Sequence, residues 1–308
     1  MRSRCAKRQQ AYARRKMARR RGGTGLVLRS RVFTRRAIDT LTAVWRWRKL
    51  DFSGLPIVFG NAVPKAGSHL LLQVLQGLRE AGHFASVEAQ PIRTITQFER
   101  RWRSANEIVA DLQRLKPGRI GWGYLFATPE NLAELANPER VNYFIYRDPR
   151  DLLVSAVFFA RDKYPGHELH DYYNQLGDFS ACLRVEIAGI DDFGLHLPPL
   201  RVRYDRYLGF FETPAMMPVR FEDLIHRRRE TITAMLDYYE ARGYELAVLR
   251  EQALELILAA IQPEKSITFR KGQTGDWQEH FSAENRQLFK EVNGDLLIQL
   301  GYEKDNDW

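Results

Sequence analysis

Apolar positions along the 308 residues fall into two alternating patterns. Short apolar runs near 55–62, 119–125, 140–146 and 216–221 have the length and β-branched make-up of buried strands. Between them lie segments in which apolar residues recur at helical spacing. LLLQVLQGLREAG, ending at Gly82, predicts a helix with that glycine as its stop. Glu230 to Gly243 places Ile232, Met235, Leu236 and Tyr239 on one face, Leu246 to Ile261 repeats the pattern, and Ser282 caps a helix expected to run to Leu300 with Gly301 as its stop. Strands alternating with helices predict βαβ units and a mainly parallel sheet, with ligands at the strands' C-terminal ends. Asp162 to Pro214 shows no such order and reads as a loop-rich lid carrying Tyr164, His167, His170, Tyr172 and Tyr173.

Three segments carry chemistry. The first is LPIVFGNAVPKAGSHL, Leu55 to Leu70. An apolar strand ends in a Pro, Lys and Gly turn and runs straight into a helix. Unpaired N–H groups at a helix start point at an anion, and Lys65 adds a mobile full charge. The pattern GxxxxGK[ST] is absent, and no Ser or Thr follows a Gly and Lys to hold Mg²⁺. The second segment is VNYFIYRDPRDLLVSAVFFA, Val141 to Ala160. It again sets a cation, Arg147, between a strand and a helix; Asp148 is the N-cap, Pro149 the first helical residue, and Asp151 completes an arrangement like a capping box. Arg147 is also placed to pair with Asp148 or Asp151. The third is RKGQTGDW, Arg270 to Trp277, where Arg270 and Lys271 can share one phosphate dianion while Gly272 admits backbone N–H groups to it.

Taken in this order, the three segments resemble the cytosolic-type sulfotransferases over about residues 52 to 303. The resemblance implies an α/β fold, P-loop-like and three-layered, with a central mainly parallel sheet flanked by helices. It implies that Lys65, Ala66, Gly67, Ser68, His69 and Leu70 hold the 5′-phosphosulfate of the donor PAPS, and that Arg147, Ser155, Arg270, Lys271 and Gly272 hold its 3′-phosphate. The family's loop is close to PKSGTTW. Here it reads PKAGSHL, so Lys65, Gly67 and Ser68 match, whereas His69 and Leu70 replace a Thr and the Trp that the family sets against adenine. FEDL, from Phe221, resembles the family's YED segment, with structural carboxylates. The family's dimer motif is not reproduced in FSAENRQ.

Sulfuryl transfer must stabilise charge on the departing phosphate and remove the acceptor's proton. Lys65 suits the first task. For the second, many relatives carry a base in a strand like KTHLP. The corresponding stretch, RIGWGYLF, Arg119 to Phe126, puts Trp122 and Tyr124 where that Lys and His would stand. A phenol ordinarily titrates near 10, so three options stay open: Tyr124 activated by a cation, His69, or a carboxylate or His from the acceptor region.

Charge changes the picture in one place. There are 47 Lys and Arg against 38 Asp and Glu, but residues 1–36 hold 14 of the basic residues and no acid, which leaves 33 against 38 for the rest. The division expected is a disordered basic tail, 1–36, and a single domain, 37–308. Such a tail touches nucleic acid or anionic lipid nonspecifically, and no specific nucleic-acid function is expected. Two cysteines, Cys5 and Cys182, make no disulfide framework. No metal is expected either: His167 and His170 have no third and fourth ligand in sight. No apolar run reaches the roughly 18 residues of a membrane span, so a cytoplasmic enzyme with a small or medium-sized organic acceptor is the expectation. Two other classes fit part of the pattern: a catalytically degenerate PAP- or PAPS-binding protein, and a P-loop kinase, which needs a Mg²⁺ ligand after its lysine.

Overall fold

The four apolar runs all form strands. In a computed structural model that describes residues 37–96, 101–192, 194–265 and 273–308, the chain runs from a helical segment at 37–47 into β1 (Ile57–Ala62) and α1 (Ser68–Gly82). Two short edge strands follow, β2 (Ser86–Val87) and β3 (Ile92–Arg93), and then α2 (Ala105–Gln113), β4 (Arg119–Tyr124), α3 (Pro129–Leu135), β5 (Arg140–Tyr146) and α4 (Pro149–Phe158). Next come α5 (His170–Leu176), α6 (Phe179–Ala188), an antiparallel pair β6 (Ile190–Asp192) and β7 (Leu195–Leu197), and α7 (Leu200–Leu208). The chain then forms β8 (Met217–Arg220), α8 (Phe221–His226), α9 (Arg228–Ala241) and α10 (Arg250–Ala260), and finishes with α11 (Trp277–His280), α12 (Ala283–Asn293) and α13 (Leu296–Gln299). The expected tail, 1–36, lies outside the described residues.

The main sheet has the order β2, β4, β1, β5, β8, with β3 beside β2 on the same edge of β4, and every pairing is parallel. Parallel strands need helical crossovers, which cover both faces and leave the strands buried on both sides. β5 shows the consequence: Val141, Tyr143 and Ile145 point into the layer holding α1, α9 and α10, while Phe144 points into the layer holding α4, α6 and α7. The expected α/β architecture is therefore present. The stripe on Ile232, Met235, Leu236 and Tyr239 is buried as its spacing predicts.

Three expectations change. Gly82 is not the stop of α1 but its last residue; His83 takes the left-handed cap at φ 55°. Gly82 is required by packing instead, since a Cβ there would stand 2.4 Å from the Phe84 ring. The helix expected from Ser282 to Leu300 is broken at Gly294, which leaves helical geometry at φ 55°, ψ −119°, so α12 and α13 are separate. Ser282 does cap α12, accepting the Asn285 N–H at 3.2 Å. Asp162 to Pro214 is mostly helical rather than a loose lid, and buries Tyr173, Cys182, Leu183, Ile187, Tyr204 and Tyr207. Its helices have seven to ten residues, too few turns for a periodic stripe to stand out.

The contact between α1 and α10 bears directly on the site, because α1 begins at Lys65's loop. At Gly77 a Cβ would lie 2.5 Å from the Cα of Ile257, so only glycine lets the two backbones come this near. Gln73 closes the same contact: its amide donates to the Gln262 carbonyl at 2.8 Å and accepts the Gln262 N–H at 3.1 Å. Gly77→Ala gains about 1 kcal/mol of helix propensity but forces α1 and α10 apart, at an overpacking cost of about 1–3 kcal/mol. The clash is with backbone, so the second effect should win. Urea denaturation is expected to show a lower midpoint; an unchanged or higher one would show that the helices separate freely.

Candidate active site

β1 delivers the chain to the site and its last residues determine how. Asn61 is fully buried and clamps the backbone of Leu125, donating to its carbonyl at 3.0 Å and accepting its N–H at 2.7 Å. This joins the end of β1 to the residue that follows β4. That loop turns through two left-handed residues, Lys65 at φ 72° and Gly67 at φ 98°. A Cβ on Gly67 would meet the Phe221 ring at 2.5 Å, so glycine is needed there for both backbone and space. Ala66 is fully buried and Leu70 points into the core beneath α1, so both side chains are turned away from solvent. The Leu70 N–H already donates to the Gly67 carbonyl at 2.9 Å. The N–H groups heading the helix are thus those of Gly67, Ser68 and His69, one fewer than the sequence suggests.

Lys65 places its ammonium 3.8 Å from the centre of the Phe159 ring. Burial first, then the positive charges of Arg147 and Lys163, lower its pKa to about 8, with Glu186 acting in the opposite sense. Phe159 opens a π-helical turn, Phe159–Lys163, that continues α4; such widened turns recur at functional sites. Ser155 is half-buried on α4, two turns beyond Arg147.

Tyr124, at the C-terminal end of β4, shares a 2.8 Å hydrogen bond with the Ser68 hydroxyl. Trp122 is buried, donates its indole N–H to the Glu88 carbonyl at 2.9 Å, and lies between the rings of His69 and Tyr124 at 6.3 and 5.9 Å. His69 has a lowered pKa, through burial first and the Lys65 charge second. Its neutral form is the favoured one near pH 7.

The second cation joins from β5. Arg147 is 8% exposed, lies 4.4 Å from the Phe221 ring, and donates to the Gln273 carbonyl at 3.0 Å and to Asp151 at 3.4 Å. The expected pairing with Asp151 thus exists, but as one part of a larger joint. Asp151 is not half of a capping box. Its carboxylate accepts the N–H groups of Gly275 at 2.8 Å and Trp277 at 2.9 Å, while the Asp148 N–H goes to Glu222 at 3.1 Å. The reason is reach: a carboxylate in the first turn that bonds a distant segment has no lone pair aimed back at its own cap. Asp148 does cap α4, accepting the Arg150 N–H at 2.9 Å. Glu222 also accepts the Tyr302 hydroxyl at 2.8 Å, a structural use for the first carboxylate of that segment.

Arg270, Lys271 and Gly272 lie outside the described residues. The chain on either side of them is held by the site helices, through Gln73 of α1 at Gln262 and through Arg147 and Asp151 at Gln273 to Trp277. The residues brought together are Lys65, Gly67, Ser68, His69, Tyr124 and, beyond Phe159, Arg147. Phe159, Asn61 and Gln73 have no distinguishing signal in the sequence; a polar residue amid the apolar run of α1 is the one hint for Gln73. His167 and His170 serve locally, the first accepting the Leu169 N–H at 3.3 Å and the second 3.0 Å from the Ala160 carbonyl. Among the described residues, Asp276, Glu279 and His280 bring ligand atoms within 4.8 Å of one another, three donors against the four of a closed tetrahedral site.

Solved structures of other proteins share this fold. The mouse sulfotransferase SULT7A1 complexed with PAP is 15% identical, with 82% of this chain and 89% of that chain aligned and a TM-score of 0.54, a likeness of fold. Retinol dehydratase in complex with androsterone and the inactive cofactor PAP is 16% identical over 80% of this chain and 83% of that one, with a TM-score of 0.48. No curated protein matches the sequence. Residues 58–301, from the first sheet strand to the end of the last helix, match the family model of the sulfotransferase domain, and the chain therefore belongs to the sulfotransferase domain family.

Proposed function

We propose that the protein moves a sulfuryl group from PAPS to a hydroxyl or amine of a small or medium-sized organic acceptor, releasing PAP. The observation that carries this reading is the hydrogen bond from Arg147 to the Gln273 carbonyl. It ties the chain just beyond Arg270, Lys271 and Gly272 to the strand end that shares the site with Lys65. In this reading Arg147, Ser155 and the Arg270 to Gly272 run take the 3′-phosphate, and the N–H groups of Gly67 to His69 with the Ser68 hydroxyl take the 5′-phosphate. Family membership supports the same division. Trp122 is committed to the sheet edge and takes no part in the chemistry. Two cysteines are too few for a disulfide framework, which supports a reducing cytoplasm as the setting.

In the transfer, the bond from sulfur to the bridging phosphate oxygen breaks as the bond from sulfur to the acceptor oxygen or nitrogen forms. Lys65 offers its ammonium to the bridging oxygen as negative charge grows there. The acceptor's proton passes to His69, since an imidazole held neutral is a better proton acceptor near pH 7 than a phenol, which ordinarily titrates near 10. Tyr124 then orients the Ser68 hydroxyl and walls the acceptor side. A kinase reading is disfavoured by the sequence, in which no Ser or Thr follows a Gly and Lys to hold Mg²⁺.

The direct test is incubation with labelled PAPS and a panel of phenols, alcohols, amines and sugars. Transfer of label supports the reading; tight PAP binding with no transfer to any of them would leave a PAP-binding protein instead. For Lys65→Ala, turnover should fall about 10²- to 10³-fold, measured apart from donor affinity, and an unchanged turnover removes its role at the leaving group. The lowered pKa of Lys65 fixes a sign for pH. Below about 8 the ammonium is present and binds phosphate; above it, binding must take up a proton. PAP affinity by calorimetry should therefore weaken as pH rises from about 7.5 to 9.5, by at most about tenfold per unit, and this slope should flatten in Lys65→Ala. His69→Gln should lower turnover about 10²-fold or more and Tyr124→Phe much less; the reverse order would assign the proton to the phenol.

A further inference from the structure

The helical segment 37–47 has two unlike sides. Its inner side is fastened to the body: Ala43 is fully buried, Trp47 stacks on His83 with ring centres 4.1 Å apart, and Arg46 pairs with Glu80 at 2.7 Å. Its outer side carries Ile38, Leu41 and Trp45, spaced three and four residues apart and 56%, 68% and 84% exposed. That spacing puts all three on one face. Leu50 just beyond is 86% exposed, and Arg48 and Lys49 stand beside it. The helix is preceded in sequence by the 36 residues with 14 basic side chains and no acidic one.

We propose that residues 37–50 are a peripheral membrane-binding face for anionic lipid, with Ile38, Leu41 and Trp45 entering the boundary between headgroups and acyl chains. Two features of chemistry select this partner. An aliphatic ridge ending in an exposed tryptophan suits a lipid interface, where the amphipathic indole is favoured. Arg48 and Lys49, with the basic residues that precede the helix in sequence, supply the cationic half of the attraction to an anionic surface. Nucleic acid would use the same cations but has no use for the aliphatic ridge. The face is fastened to the body through Trp47, Ala43 and Arg46. The inference is independent of the donor site.

The experiment is vesicle flotation of the full chain at physiological salt, with phosphatidylcholine vesicles alone or containing about 30% phosphatidylserine. Binding is expected to the anionic vesicles and to fall with salt. The double variant Leu41→Lys and Trp45→Lys separates insertion from plain electrostatics, because it adds two positive charges while removing the ridge. Insertion predicts a loss of vesicle affinity of about tenfold or more; unchanged or raised affinity overturns it. Both positions face solvent, so donor binding and the thermal midpoint should stay as in the unmodified chain. A readout that needs no variant is quenching of the unmodified chain's tryptophan fluorescence by acyl-brominated anionic lipid. Absence of quenching, or tighter binding to duplex RNA or DNA than to anionic vesicles at the same salt, overturns the proposal.

Discussion

The carboxylate of Asp151, buried in the first turn of α4, accepts backbone N–H groups from Gly275 and Trp277 and stands beside Arg147. Burial raises its pKa, and the Arg147 charge with the two N–H bonds pulls the other way. The helix N-terminus adds further support for a negative charge at that position. Hydrogen bonds to charged groups contribute roughly 1.5–3 kcal/mol each, and breaking a buried pair costs roughly 3–5 kcal/mol. Set against a total stability of about 5–15 kcal/mol, this joint is a large share. Around it Arg150 lies between the rings of Trp277 and Trp308, at 3.9 and 4.5 Å, and pairs with Asp148 and Glu303. The chain from Gln273 to Trp277 is thereby tied to the site that begins at β1.

The Lys65 end of the site concentrates costs that the surrounding core holds in place. Lys65 occupies left-handed backbone that an L-residue adopts at a penalty of about 1–2 kcal/mol. Its ammonium shares its surroundings with Arg147 and Lys163. Neither feature would persist in an isolated loop. Here Ala66 is fully enclosed, Gly67 is pressed against Phe221, and Asn61 locks the neighbouring strand end, so the turn has no room to relax. An anion placed there would relieve the mutual repulsion among the cations.

Much of this was legible in the sequence because it is local. The apolar runs became β1, β4, β5 and β8 within a few residues, and the Pro, Lys and Gly turn became the loop before α1. Asp148 and Ser282 cap the helices they precede. The errors have equally physical sources. Gly82 carries two meanings, helix stop and close contact, and packing against Phe84 decided for the second. The short helices of Asp162 to Pro214 offer too little periodicity to be seen. Asp151 fits a local capping pattern, yet its carboxylate is spent on residues 124 and 126 positions away.

That distinction separates the two sources of information. The four main strands, the Pro, Lys and Gly turn after the first of them, the helix caps at Asp148 and Ser282 and the likeness of three motifs to one family depend on neighbours within a few residues, so the sequence alone determined them. Which groups meet was decided only in three dimensions: Tyr124 with Ser68, Lys65 with Phe159, Gln73 with Gln262, and Arg147 with Gln273. These partners are 56 to 189 residues apart. Nothing in a local pattern encodes such a pairing, because it depends on strand order and on glycines that let helices close to contact distance.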